Sequence, residues 1–271
     1  MYETNNLFLR KNNNLKIQLF FQACKITLIF SNNLKKMKEL AKLLLCAASE
    51  GEIKHLEGLS TKPQIGIVSR INNEADLLIT GVGIFQTIFH LTRCLQYGRY
   101  GMVIAAGIAG EYHVERPLVS MYAVQQSVFT GFGTETDNGE YESLVGSRFL
   151  DGNMPPFCNG HIVHTASSKL AKALDIPTAK VNTVCSTNTE RTYVNKLLKK
   201  FPADIETMES SAYGYVCAMM GIQLAEIRCT SNYVLPKSES KWLIAESTQA
   251  LGNLLTQITA YNCKILREIE L

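Results

Sequence analysis

Three short runs constrain this chain most: residues 43–48 (LLLCAA), 76–80 (DLLIT) and 102–106 (MVIAA). Each is apolar at nearly every position and stops at a turn-forming sequence. A strand with no polar face must be covered on both sides, which is the pattern of a parallel or mixed sheet inside helices. Segments of helical spacing lie between such runs. Residues 84–97 (IFQTIFHLTRCLQY) stop at Gly98, residues 167–174 read SSKLAKAL, and 190–201 read ERTYVNKLLKKF. Residues 208–220 keep an apolar stripe up to Gly221, and 242–269 form a long closing helix. Further strands are expected at 65–71, 118–131, 161–166, 179–187 and 223–231. Residues 133–160, rich in Gly, Asn, Pro and Asp, read as a long excursion. Strands and helices interleave throughout, so the expected fold is α/β: a three-layer αβα sandwich around a mixed, twisted sheet with one core.

The chain has 271 residues, 46% hydrophobic and 19% charged, with a net charge of +3. That charge is too small to argue for a nucleic-acid or membrane partner. The eight cysteines show no CxxC spacing and read as buried free thiols in a reducing, cytoplasmic compartment. His161 and His164 alternate as in a strand and lack a third ligand, so no metal is expected. Residues 1–36 differ in composition, and their apolar part is too short and interrupted for a membrane span. Translation is expected to start at Met37, with a single domain over 37–271 and an extension before it.

The stretch 206–212 (ETMESSA) places Glu206 and Glu209 just ahead of an apolar helical stripe. Acidic groups favour helix N-termini, but hydroxyl-bearing ligands also need carboxylates. A helix of about thirteen residues runs roughly 20 Å, and a strand of about seven returns roughly 23 Å. Glu209 and Ser231-Asn232 should therefore meet at the rim where ligands bind in α/β sheets. The turns expected at 49–52 and 107–110 reach that rim if their strands run parallel. The expected site holds Glu50 or Glu52, the glycine-rich backbone, Glu209, Arg228 and Asn232. Simpler roles exist for each: solvated turn acids for Glu50 and Glu52, tight turns for Gly107 and Gly110, a solvated or capping role for Glu206. Arg228, inside an apolar strand, needs an anionic partner. Residues 81–86 (GVGIFQ) lack the third glycine of a dinucleotide fingerprint.

AASEGEI (47–53), TGVGIFQT (80–87), AAGIAG (105–110), ETMESSAYGYVCAMMGI (206–222) and IRCTSNYV (227–234) occur in that order. Together they resemble the nucleoside phosphorylase/nucleosidase superfamily, and within it the futalosine-hydrolase branch, toward which the Asn-Tyr-Val ending and Trp242 point. The resemblance runs from about residue 41 to the C-terminus. It implies hydrolysis of the bond between ribose and a purine, no cofactor, a small nucleoside substrate and a homo-oligomer. By resemblance Glu209 binds ribose hydroxyls, Met208 packs on the sugar, and Glu52, oriented by Arg228, activates the attacking water. Gly107, Ile108, Ala109 and Gly110 wall the nucleophile site. Asn232 stands where nucleosidases acting on adenine nucleosides usually carry Asp. An amide cannot donate a proton as a general acid, but it matches a 6-oxopurine. Glu50 and Glu52 would repel a phosphate dianion, which favours water as nucleophile. Three features depart from the pattern: Glu111 after GIAG, 129–135 without an expected acid, and the irregular 184–190. Phe132 is a candidate lining residue. The alternatives are a methylthioadenosine/S-adenosylhomocysteine nucleosidase, a purine nucleoside phosphorylase, or a non-catalytic nucleoside-binding module.

Overall fold

The computed structural model describes residues 42–59, 61–137, 141–236 and 238–260. The expected extension over 1–36 and the start at Met37 lie outside the described residues. The described strands are β1 (Lys42–Ala47), β2 (Val68–Arg70), β3 (Ala75–Ile79), β4 (Tyr100–Glu111) and β5 (Met121–Phe129). They continue as β6 (Gly133–Glu135), β7 (Tyr141–Ser143), β8 (Ile162–Val163), β9 (Thr178–Thr183), β10 (Ile205–Thr207) and β11 (Gln223–Tyr233). The α-helices are α1 (Ile84–Tyr97), α2 (Ser167–Leu174), α3 (Arg191–Lys200), α4 (Ser210–Met220) and α5 (Ile244–Ala260). None of these is long and apolar enough to cross a membrane.

Alternation along β1 shows why three layers form. Leu43, Leu45 and Ala47 face one side and join Leu77, Ile104, Ile227, Leu170 of α2 and Leu251 and Leu255 of α5 in one buried cluster. Leu44 and Cys46 face the other and join Val103, Leu91 and Leu95 of α1 and Tyr213 and Val216 of α4. These four helices thus cover strand faces that could not meet water.

The main sheet runs β10-β9-β5-β11-β4-β1-β3-β2, with β8 on β5. Strands β1, β3, β4 and β11 are mutually parallel along this path, so their carboxyl ends share one rim. β5 is antiparallel to β11, which makes the sheet mixed. β10 pairs with β9 and also, antiparallel, with β4, closing β4, β11, β5, β9 and β10 into a ring.

Several expectations need correction. Residues 107–110 are no turn: β4 continues through them to Glu111, paired with β11. Glu206 does not open the helix; it lies in β10, and the helix begins at Ser210 with Glu209 as its N-cap. The strand expected over 65–71 narrows to β2, and β9 ends at Thr183. The excursion contains the β6–β7 hairpin. Cys158 and Cys185 are exposed, whereas Cys46, Cys217 and Cys229 are buried as free thiols.

Candidate active site

A cavity of about 260 Å³ opens at the carboxyl rim of the parallel strands. Its walls come from segments distant in sequence: Ser49 and Glu52 after β1, Ile108–Gly110 of β4, Glu206–Glu209, and Ser231 and Asn232 of β11. Ala48, Val82, Val184, Thr187, Thr189, Val234 and Trp242 complete its lining. The structure therefore brings together Glu52, Met208, Glu209, Ile108, Ala109, Gly110 and Asn232. Gly107 and Arg228 stand behind this wall. Phe132 lies outside the lining, edge-on to Phe129.

Glu52 sits in a short 3-10 turn, Glu50–Ile53, directly after β1. Its Oε2 accepts hydrogen bonds from the amides of Ala48 (2.9 Å) and Ser49 (3.1 Å). Its Oε1 accepts from Ile108 N (3.0 Å). Burial pushes the carboxyl above the ordinary range, Arg228 partly offsets this, and Glu209 adds to it. Glu50, two positions earlier in the same turn, instead points outward and pairs with Lys62 at 3.2 Å. The choice between the two acids is settled by geometry, and Glu50 contributes no repulsion inside the cavity.

Glu209 Oε1 accepts a hydrogen bond from Gly83 N at 2.9 Å. Gly83 is the N-cap of α1, so the positive end of that helix faces the carboxylate. Its φ of 87° is a conformation glycine adopts freely. Burial again raises the Glu209 carboxyl, with Arg228 opposing.

Arg228 is 1% exposed. Its Nε donates to Glu226 Oε1 at 2.6 Å, while Nη1 lies 3.5 Å from Glu209 and 3.9 Å from Glu52. One guanidinium thus spans three carboxylates. Glu226 also accepts from Ser210 Oγ at the start of α4. His164 Nδ1 stands 3.1 Å from Glu226 Oε2, at ion-pair distance but outside hydrogen-bond alignment. Burial alone would raise the Glu226 carboxyl; Arg228, His164 and Ser210 outweigh it and hold it at about 2. Sequence reasoning asked for an anion near Arg228 but missed Glu226. The signal was the spacing of two along one strand, which puts both side chains on one face.

The glycines have a packing reason. A Cβ at Gly107 would overlap Arg228 Nη1 and Glu52 Oε1. A Cβ at Gly110 would lie 2.8 Å from Val234 and 3.1 Å from Glu206 Cγ. The absence of these side chains, not a turn, lets the charged groups approach β4. The small residues of ETMESSA serve a similar end. Ser211 N donates to Thr183 Oγ1 (2.9 Å), and the Thr207 and Ser210 hydroxyls are 2.6 Å apart.

Asn232 follows a bulge in β11, where the register with β4 shifts between Thr230 and Asn232. Its Oδ1 accepts from Ser231 Oγ (2.9 Å) and its Nδ2 donates to Tyr233 O (3.1 Å). Glu206, expected to be solvated or capping, is buried and lines the cavity. Glu111 is also buried, but its Oε1 faces His113 N and Arg116, away from the lining.

Comparison with known proteins agrees with this architecture. The chain is 29% identical over 199 residues to a futalosine hydrolase of Streptomyces coelicolor, covering 70% of this chain and 80% of that protein. A 5'-methylthioadenosine/S-adenosylhomocysteine nucleosidase mutant of Helicobacter pylori, solved with 5'-methylthioadenosine in its active site, superposes with a TM-score of 0.65. It has 14% identity and covers 81% of this chain and 98% of its own. A futalosine hydrolase mutant of H. pylori superposes with a TM-score of 0.57 at 14% identity, covering 85% and 98%. The family model that matches residues 45–267 is that of the phosphorylase superfamily. The match covers most of the chain, and the protein belongs to the phosphorylase superfamily.

Proposed function

We propose that the protein hydrolyses the N-glycosidic bond of a 6-oxopurine nucleoside, with futalosine as substrate and hypoxanthine as the released base. The observation that carries this reading is the ionisable content of the cavity. Among the described residues its lining holds three carboxylates, Glu52, Glu206 and Glu209, and no Lys, Arg or His. A phosphate dianion would meet like charge there, whereas a ribosyl group developing positive charge would be stabilised. Arg228 offsets part of this charge from behind the wall, but it lies outside the lining and shares its guanidinium with Glu226.

The geometry supports a role for each residue. Glu209 accepts hydrogen bonds from ribose hydroxyls, as a carboxylate held by Gly83 N can. Met208 packs beside it on the sugar. Glu52, made more basic by burial, takes a proton from the attacking water. As water oxygen bonds to the anomeric carbon, the carbon–nitrogen bond breaks and its electron pair leaves with the base. Asn232 retains an N–H that can stabilise charge on the departing 6-oxopurine. The similarity to a futalosine hydrolase supports this substrate.

A homo-oligomer belongs to the same reading. Phe85, Phe89, Ile65 and Ile67 are all exposed, an apolar surface of the kind that association covers.

The test is chromatography after incubation with futalosine, inosine and methylthioadenosine, with and without phosphate. Hypoxanthine release from futalosine at a rate independent of phosphate is expected. Cleavage of methylthioadenosine alone, or formation of a ribosyl phosphate, would overturn the reading.

A further inference from the structure

Glu206 has no assigned role in the bond-breaking step above, yet it is 6% exposed, ionisable and part of the cavity wall. A carboxylate is seldom placed in such a position without a partner. Its Oε2 accepts a hydrogen bond from the Tyr112 hydroxyl at 2.9 Å. No ion pair to it is found among the described residues. Its position is set by β10, which pairs Glu206 with Gly110 of β4. The space a Gly110 side chain would fill lies 3.1 Å from Glu206 Cγ and 3.6 Å from Asn232 Nδ2. Glu206 and Asn232 therefore flank one gap in the wall, kept open by a glycine.

Asn232 cannot read a base edge alone. Its amide already uses Oδ1 on Ser231 and one Nδ2 hydrogen on Tyr233 O. What remains is chiefly a donor. A 6-oxopurine presents an acceptor, O6, beside a donor, N1–H. The residue opposite the donor must be an acceptor, and an ionised carboxylate is acceptor-only. Adenine presents the reverse: an acceptor at N1 and donors at N6.

We infer that Glu206 determines base selectivity: its carboxylate, braced by Tyr112, accepts N1–H of a 6-oxopurine while Asn232 donates to O6. This rests on the proposed nucleosidase reading and assigns the part of the site that chooses between hypoxanthine and adenine. N1 of adenine would face the carboxylate lone pairs and leave a buried acceptor without a donor, an outcome that costs discrimination energy. Burial, only partly countered by the Tyr112 hydrogen bond, pushes the Glu206 carboxyl up to about 7, so a donor from the ligand stabilises its charged form.

The test is calorimetric binding of hypoxanthine and of adenine at pH 8 to the full chain, to Glu206→Gln and to Tyr112→Phe. Glutamine keeps the size of the side chain but offers donor and acceptor alike. Wild type is expected to prefer hypoxanthine by at least about tenfold, and Glu206→Gln to bring the two bases within about threefold. Tyr112→Phe, which keeps the ring packing, is expected to weaken hypoxanthine severalfold and leave adenine unchanged. It decides the matter if Glu206→Gln does not fold. Should wild type cleave futalosine while both variants keep the wild-type preference, the inference fails and the proposed function stands. If wild type binds neither base, or prefers adenine, the inference fails as well, and the futalosine assay decides the proposed function separately.

Discussion

Arg228 donates its shortest hydrogen bond, 2.6 Å, to Glu226, a residue two positions earlier on the same strand and outside the cavity lining. Glu226 is therefore expected to act through Arg228, as a positioning residue for Glu52 and Glu209. Removing one partner of a buried pair leaves an uncompensated charge, at a cost of about 3–5 kcal/mol. Glu226→Gln is expected to lose stability toward the lower end of that range and to lower kcat more than it raises KM. Denaturant unfolding together with steady-state kinetics checks both.

Glu52 and Glu209 should separate in kinetics. Glu52→Gln is expected to lower kcat by about 10²–10⁴ with little change in KM. Glu209→Gln should raise KM as well, because it loses bonds to the substrate before and during reaction. Since burial raises the Glu52 carboxyl, kcat/KM should fall on acidification at a pH above the ordinary glutamate range. A Glu52→Gln enzyme as fast as wild type would remove Glu52 from its proposed role.

Glu206 makes stability depend on pH with a defined sign. Its carboxyl is raised from an ordinary 4.5 to about 7 in the folded state. Between those values the folded chain binds more protons than the unfolded one, so stability falls as pH rises through the window. Above it the full penalty applies. Glu206→Gln is expected to be more stable than wild type at pH 8, by on the order of 2 kcal/mol, and similar at pH 4. Urea unfolding at the two pH values measures the difference.

Gly107→Ala tests the packing argument most simply. The added methyl has no room between Arg228 Nη1 and Glu52 Oε1. Overpacking of this kind costs about 1–3 kcal/mol. Activity is expected to drop further than stability, since the two displaced groups are the proposed base and its neighbour. Thermal unfolding and kcat on one preparation distinguish the two losses.

The sheet was legible where apolar runs were continuous. β1, β3 and α1 lie close to where their patterns place them, and strand and helix lengths bring Glu209 and Asn232 to one rim. Glycine misled because it is ambiguous without a partner: Gly107 and Gly110 suit a turn as well as a strand crowded by other side chains. Only coordinates show the crowding. β10 escaped because three residues carry no periodicity, and its loss displaced Glu206 into the neighbouring helix. The acids after β1 differ by orientation alone, a property that spacing in a 3-10 turn does not reveal. Glu226 was within reach of the alternation rule; His164 was not, since its encounter with Glu226 spans distant segments.

The ring made by β10 has a consequence for traffic. Because β10 is bonded to β4 on one side and β9 on the other, that wall cannot peel back as a free edge would. A nucleoside must then enter where the lining is made of connecting segments. Thr187, Thr189 and the half-exposed Trp242 line the cavity from those segments, so any gate on turnover is expected there and not in the strands.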